Sequence, residues 1–231
     1  MNIFYPDRCP ICGRVVTFEI KVCNDCKGRL RAVGGNTCVR CGCILKSKND
    51  VWCKECKKEE RFFDKGISAF FYNDAIKEAI INFKYHNKRE LAMFFAKYMV
   101  KTMEREGFLE SDMLIPIPIH KSRRVKRGYN QAEVLCKEIS KLTGIPMKND
   151  IIIREKKTEA LKEQGRQERL NSLKNAFAVN NKKKDLIKGK TVIMVDDIYT
   201  TGSTMDAMGK VVSECGALKV YFITIATGAG I

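Results

Sequence analysis

The chain has 231 residues, 45% of them hydrophobic and 30% charged, with eleven cysteines and a formal net charge of +16. That length and apolar content suit one α/β domain with a small appendage, while no apolar run approaches the ~18 residues of a membrane span and no charged-then-apolar leader opens the chain, so a cytoplasmic protein without membrane insertion is expected. The basic balance calls for a polyanionic partner, either nucleic acid or a phosphorylated substrate.

Nine of the eleven cysteines precede residue 57, and eight of those form four C-x-x-C pairs. Cys9-Pro-Ile-Cys12-Gly13 with Cys23-Asn-Asp-Cys26 recurs as Cys38-Val-Arg-Cys41-Gly42 with Cys53-Lys-Glu-Cys56. A tight turn with two cysteines offers two sulfurs to one ion, and two such turns complete a tetrahedron. Zinc is the default metal for four thiolates, with iron the minority alternative. The repeat favours one ion on Cys9, Cys12, Cys23 and Cys26 and a second on Cys38, Cys41, Cys53 and Cys56; a crossed pairing is the alternative. Cys43 is left over and reads as a bystander. Binding two zinc ions through eight thiolates lowers the net charge to roughly +12. So small a segment needs its metals to fold, and four protein ligands leave no open position for chemistry, which makes the role structural or recognitive.

From Phe62 the composition becomes that of a globular domain. Phe70-Phe71-Tyr72 reads as a strand end, and Asn73 or Asp74 caps a helix with Ile76, Ala79, Ile80 and Phe83 on one face. Phe83-Lys84-Tyr85-His86 closes it, with His86 read as a surface histidine. Leu91, Phe94, Phe95, Tyr98, Met99 and Met103 stripe a second helix. Leu114 to Ile119 reads as a strand despite its two prolines, because these sit two apart and leave their missing donors on one side. A basic loop follows, carrying His120, Lys121, Arg123, Arg124, Lys126 and Arg127. At the end of a parallel strand, arginines so clustered suit a pyrophosphate, which accepts bidentate hydrogen bonds. Gly128-Tyr129-Asn130-Gln131 opens a helix with Leu135, Cys136, Ile139 and Leu142 inward, ending at Gly144.

Ile151 to Arg154 is a short strand. Glu155 to Asn175 has the composition of a mobile loop followed by a short helix, with Gln164-Gly165-Arg166 at its middle, and Lys182 to Lys190 reads as a solvated turn. Thr191 to Val195 is a β-branched run of the kind buried on both faces of a parallel sheet. The acids Asp196 and Asp197 follow, and then Thr200, Thr201, Gly202, Ser203 and Thr204 lead into a helix through Ala207, Met208 and Val211. Hydroxyls around a glycine at a helix start converge on a phosphate at the positive end of the helix dipole. Like charge keeps the acids from that phosphate, so they serve sugar hydroxyls or a hydrated magnesium. Sugar plus phosphate means a ribose 5-phosphate. The helix ends at Gly216, and Val220 to Ala226 is a closing strand, with Cys136 and Cys215 in the core.

Val195 to Thr204 resembles the phosphoribosyl-pyrophosphate (PRPP) motif of type I phosphoribosyltransferases. With the cysteine repeat, Phe83-Lys84-Tyr85, Ile115 to Gln131 and Gln164 to Phe177, the whole chain resembles the ComF/GntX family. The resemblance implies a double zinc ribbon at 1–60 with two structural zinc ions. A type I phosphoribosyltransferase fold follows at 61–231, a parallel sheet flanked by helices with a hood at about 62–106. It implies Asp196 and Asp197 on the ribose and magnesium, and Thr200 to Thr204 on the 5-phosphate. His120, Lys121, Arg123, Arg124 and Arg127 would meet the pyrophosphate, and Arg154, Gln164, Arg166 and Arg169 would belong to a flexible loop that closes over PRPP. The implied reaction displaces pyrophosphate at the anomeric carbon, and no residue stands out as a general base. The family is associated with DNA uptake in natural competence. The alternative is a PRPP-sensing or scaffold module that binds single-stranded DNA or a helicase-type partner, with Tyr5, Trp52, Phe62 and Phe63 available for stacking.

Overall fold

The protein is described by a computed structural model covering residues 8–9, 11–16, 22–85, 90–154 and 176–228. His86, Tyr5 and the stretch holding Gln164, Arg166 and Arg169 lie outside the described residues. Among the described residues no helix is long and apolar enough to cross a membrane.

The centre is a four-stranded parallel sheet of β1 (Lys65–Phe71), β2 (Met113–Pro116), β5 (Thr191–Tyr199) and β6 (Lys219–Thr227), in the order β1-β6-β5-β2. The short strands β3 (Ile152–Arg154) and β4 (Phe177–Val179) form a separate antiparallel pair. Alternation along β5 fills two cores. Ile193 and Val195 join Ile223 and Ile225 under α3 (Asp74–Tyr85), α4 (Glu90–Arg105) and α6 (Gln131–Thr143). Val192 and Met194 join Val220 and Phe222 on the other face, with Met205, Met208 and Val212 of α7 (Ser203–Glu214), numbered after the short α5 (Lys121–Arg127). Burial on both faces explains why the run Thr191 to Val195 is apolar without alternation.

Within the stretch expected as a hood, Lys65–Phe71 pairs with β6 in the main sheet, and α3 and α4 follow it in the chain. Asn73 caps α3, its Oδ1 accepting from the Ile76 amide at 3.0 Å. The strand expected over Leu114 to Ile119 stops at Pro116. The expected basic loop is helix α5, with His120 as its cap and Gly128 as its left-handed terminator. A seven-residue helix lacks the length for an apolar stripe that sequence periodicity would register.

The cysteine segment repeats in structure as it does in sequence. Each half begins with a turn in which Gly13 or Gly42 donates to the carbonyl of Cys9 or Cys38 at 2.8 Å. Each ends with Cys23 or Cys53 at the start of a short helix, α1 (Asn24–Arg29) or α2 (Lys54–Lys58), where the dipole favours a thiolate. The two halves dock on opposite sides of the sheet. Cys9, Ile11, Val22 and Cys26 join the α3 core, and Asn82 Nδ2 donates to the Ile11 carbonyl at 2.9 Å. Cys38, Cys41, Cys53 and Cys56 join the α7 core through Phe63, Tyr199 and Phe222. At this second contact backbone meets backbone: the Gly66 amide donates to the Arg40 carbonyl at 2.6 Å, and a Cβ on Gly42 would lie 2.5 Å from the Gly66 carbonyl.

Between the halves, Ala32 bridges Phe70 antiparallel and closes the β1 edge, while Met147 bridges Leu114 at the β2 edge. Each outer strand of the sheet thus gains a local backbone partner on its free side.

Candidate functional site

Strand β5 carries the site. It runs to Tyr199, beyond the expected end at Val195, because β6 stays paired with it as far as Tyr199↔Thr227. The acid pair therefore sits inside the last third of a strand, where sheet hydrogen bonds fix its backbone. The Asp197 amide donates to Asp196 Oδ1 at 2.8 Å, and Asp197 Oδ2 accepts from Lys84 Nζ at 2.6 Å. Burial, reinforced by the neighbouring Asp197 charge, pushes the Asp196 carboxyl up to about 7. Lys84 and Arg154 oppose that rise by their positive charge.

Beyond Tyr199 the chain turns through Thr200 and Thr201 into Gly202, whose φ of +83° makes it the left-handed residue before α7. Thr201 Oγ1 and Ser203 Oγ share a hydrogen bond of 3.0 Å. Together with Thr200 and Thr204, they form a hydroxyl-lined turn at the positive end of α7, of the kind that receives a phosphate. Asp206 in the first turn of this helix points away from that purpose. It is buried and accepts from Arg61 Nη1 at 2.6 Å.

The basic run divides by what each side chain meets. Arg124 makes a bidentate pair with Glu133 at 3.1 and 3.0 Å. Arg127 donates to Gln131 and to the Tyr85 hydroxyl, with its guanidinium over the Tyr85 ring at 5.2 Å. His120 Nδ1 is occupied in capping Ser122. Arg123 is the member whose charge reaches Arg154, at the end of β3. Burial and that charge lower the Arg154 guanidinium to about 10, with Asp196 opposing them, and its face covers Phe177 at 5.3 Å. Lys121 is exposed. Thus Lys84 and Arg154 are cations within the field of the acid pair, with Arg123 acting on Arg154 behind them.

The eight paired cysteines gather as two sets of four, Cys9, Cys12, Cys23 and Cys26, and Cys38, Cys41, Cys53 and Cys56, with all sulfurs of a set within 4.8 Å of one another. The pairing is the uncrossed one. Cys12 and Cys23 Sγ are 3.6 Å apart and Cys41 and Cys53 Sγ 3.7 Å, close to the edge of about 3.8 Å that a tetrahedron with Zn–S bonds of ~2.3 Å requires. Both sets fit structural zinc. Cys43 is buried beside the second set but outside it.

Two residues here carried no assigned role in the sequence. Lys84 lies in the Phe83-Lys84-Tyr85 motif, a usable signal. Arg61 gave none, because its partners Thr201 and Asp206 lie 140 and 145 residues away.

Residues 1–57 match the family model of a double zinc ribbon domain, and residues 126–230 match that of a phosphoribosyl transferase domain. The chain is 28% identical over 225 residues to Competence protein F of Haemophilus influenzae, across 95% of this chain and 96% of that protein. It is 27% identical over 205 residues to competence protein ComFC of Bacillus subtilis, across 85% of this chain and 79% of that protein. To the DNA utilization protein YhgH of Escherichia coli it is 22% identical over 203 residues, across 86% and 87% of the two chains. Among solved structures it is similar to a purine phosphoribosyltransferase from Pyrococcus horikoshii, with a TM-score of 0.35 and 18% identity over 60% of this chain and 72% of that one.

Proposed function

We propose, for a chain that joins a double zinc ribbon to a type I phosphoribosyltransferase fold in the ComF manner, that the pocket at the end of β5 binds PRPP with magnesium and transfers its phosphoribosyl group. The observation that carries this reading is the adjacency, on one strand end, of the Asp196-Asp197 pair and the Thr200 to Thr204 turn, with Lys84 against the acids. In this reading the turn holds the 5-phosphate and the acids hold the ribose hydroxyls. Arg123 and Arg154 face the pyrophosphate, joined by His120, Lys121, Arg124 and Arg127 where their present partners release them. The stretch with Gln164, Arg166 and Arg169 closes over the ligand. Two adjacent carboxylates are an oxygen donor set that suits magnesium, which supplies charge to the leaving pyrophosphate.

The C1–O bond to pyrophosphate breaks with its electron pair leaving on the pyrophosphate, while an acceptor nucleophile forms the new bond to C1. Such a reaction asks the protein for fixed cations and exclusion of water more than for covalent help. The names of the relatives support a setting in the handling of incoming DNA.

A second reading keeps the pocket as a sensor and gives binding to the second ribbon. Its support is Trp52, 38% exposed, with Arg40 over its ring at 5.9 Å and Lys46, Lys54 and Lys57 nearby. Cations beside an exposed aromatic suit single-stranded DNA, or a partner that carries it.

Calorimetric titration of the zinc-loaded protein with PRPP, with and without magnesium, tests the first reading. Magnesium-dependent binding that releases pyrophosphate when acceptors are added is the expected result. PRPP binding without pyrophosphate release, together with salt-sensitive binding of an oligothymidine, would transfer the function to the second reading.

A further inference from the structure

Arg61 follows directly on the second ribbon, and its side chain is fully buried. A single nitrogen, Nη1, reaches both ends of the phosphate turn, 3.3 Å from the Thr201 carbonyl and 2.6 Å from Asp206 Oδ2. The same nitrogen would lie 2.9 Å from a Cβ on Gly202, and the Tyr199 hydroxyl 2.7 Å from it. The guanidinium stands over Phe63 at 5.9 Å, and its Nε and Nη2 are buried with no hydrogen-bond partner among the described residues.

Both side chains adjoin the core that holds the second cysteine set: Tyr199, and Phe63 over which the guanidinium stands, pack in one cluster with Cys38, Cys41, Cys53 and Cys56. Arg61 also lies within the field of Cys56. Zinc held by four thiolates carries a formal charge of about −2. A buried guanidinium placed between such a centre and the Asp206 carboxylate offsets part of the charge of both and separates two negative groups that would otherwise repel. Among the described residues the first cysteine set shows no such link, and it packs on α3 in the opposite core.

We propose that Arg61 is a positioning residue that ties the phosphate turn to the second four-cysteine centre, so that metal there, and not at the first centre, holds residues 201–206 in their binding geometry. The functional consequence rests on the reading of that turn as a phosphate site; the mechanical link does not.

Hydrogen exchange of the zinc-loaded full chain tests the link, with the amides of Ile193 to Val195 and Ile223 to Ile225 as an internal reference for the intact sheet. Cys53→Ser/Cys56→Ser and Arg61→Met should each speed exchange at residues 201–206 about tenfold, within the range of ordinary site-to-site coupling. Cys9→Ser/Cys12→Ser should leave those amides unchanged. Combining Arg61→Met with the second-site change should add nothing to the larger single effect. An unchanged turn in the second-site variant, an equal response to the first-site variant, or additive effects would overturn the proposal.

Should the second-site variant lose protection in the reference amides, cobalt replaces zinc in the otherwise intact chain. Arg61→Met then shifts the cobalt–thiolate absorption while two metal ions are retained, and a spectrum superimposable on that of the unmodified chain overturns the link. Titration with PRPP and magnesium completes the set: Arg61→Met should weaken binding about tenfold on the same scale. An unmodified chain that binds no PRPP removes the phosphoribosyl reading, and the exchange and cobalt results still decide the role of Arg61.

Discussion

Lys84 Nζ lies 2.6 Å from Asp197 Oδ2, so the last turn of α3 reaches across to the acid pair of β5. Both side chains are largely shielded from water, 17% and 13% exposed, and removal of one strands the other's charge. Lys84→Met should cost about 1.5–3 kcal/mol of stability, the scale of a hydrogen bond to a charged group. Urea unfolding of Lys84→Met, Asp197→Asn and the double variant measures this. A coupling below ~0.5 kcal/mol would show that the contact contributes little.

The Asp196 carboxyl, raised to about 7 from an ordinary 3.8, gives stability a definite pH dependence. The folded chain binds that proton more tightly than the unfolded chain does. The contribution is complete below 3.8 and is lost as pH rises through about 7. Asp196→Asn should therefore be more stable than the parent chain, with an advantage that grows from acidic pH to about 7 and then levels off. A gain of ~1 kcal/mol corresponds to about 2–4 °C in Tm at this chain length. Melting both proteins between acidic pH and mildly alkaline pH checks the sign, and a constant difference would contradict it.

Gly202 combines a left-handed backbone with a crowded Cβ position, 2.7 Å from the Tyr199 hydroxyl. Gly202→Ala should lower stability by about 1–3 kcal/mol and abolish binding at the turn. Gly189 is the control, because it shares the positive φ, +70°, and has nothing within 4 Å of its Cβ position. Gly189→Ala should cost only the backbone term, about 1–2 kcal/mol, with binding retained. Equal effects in the two variants would mean that crowding at Gly202 is immaterial.

Cys43 separates a neighbour from a ligand. Replacement of Cys41 should reduce the zinc content from two ions to one per chain, whereas Cys43→Ala should leave it at two. Elemental analysis of the purified variants decides the matter, since a zinc ion lost from Cys43→Ala would make that thiol a ligand.

Several features were legible because their physics is local. Two cysteines three residues apart fix a metal-binding turn whatever surrounds them, and the repeat carried the uncrossed pairing. The hydroxyl-rich turn before α7 and the capped ends of α3 and α6 likewise depend on neighbours within a few residues. The basic run was legible as charge only. Its division, with Arg124 on Glu133, Arg127 on Tyr85 and Arg123 toward Arg154, follows from the direction α5 gives each side chain and from what α3, α6 and β3 present to it.

The length of β5 belongs to β6, whose residues through Thr227 keep the acid pair inside a sheet that its own sequence would have ended at Val195. Residue type and spacing were enough to specify the metal turns, the apolar faces and the chemistry available at the strand end, since each depends on near neighbours in the chain. Packing alone decided that Lys84 meets Asp197 and that Arg61 meets Thr201 and Asp206. Those contacts join residues more than a hundred positions apart, and burial, which gives such charge pairs their strength, is a property of the packed chain.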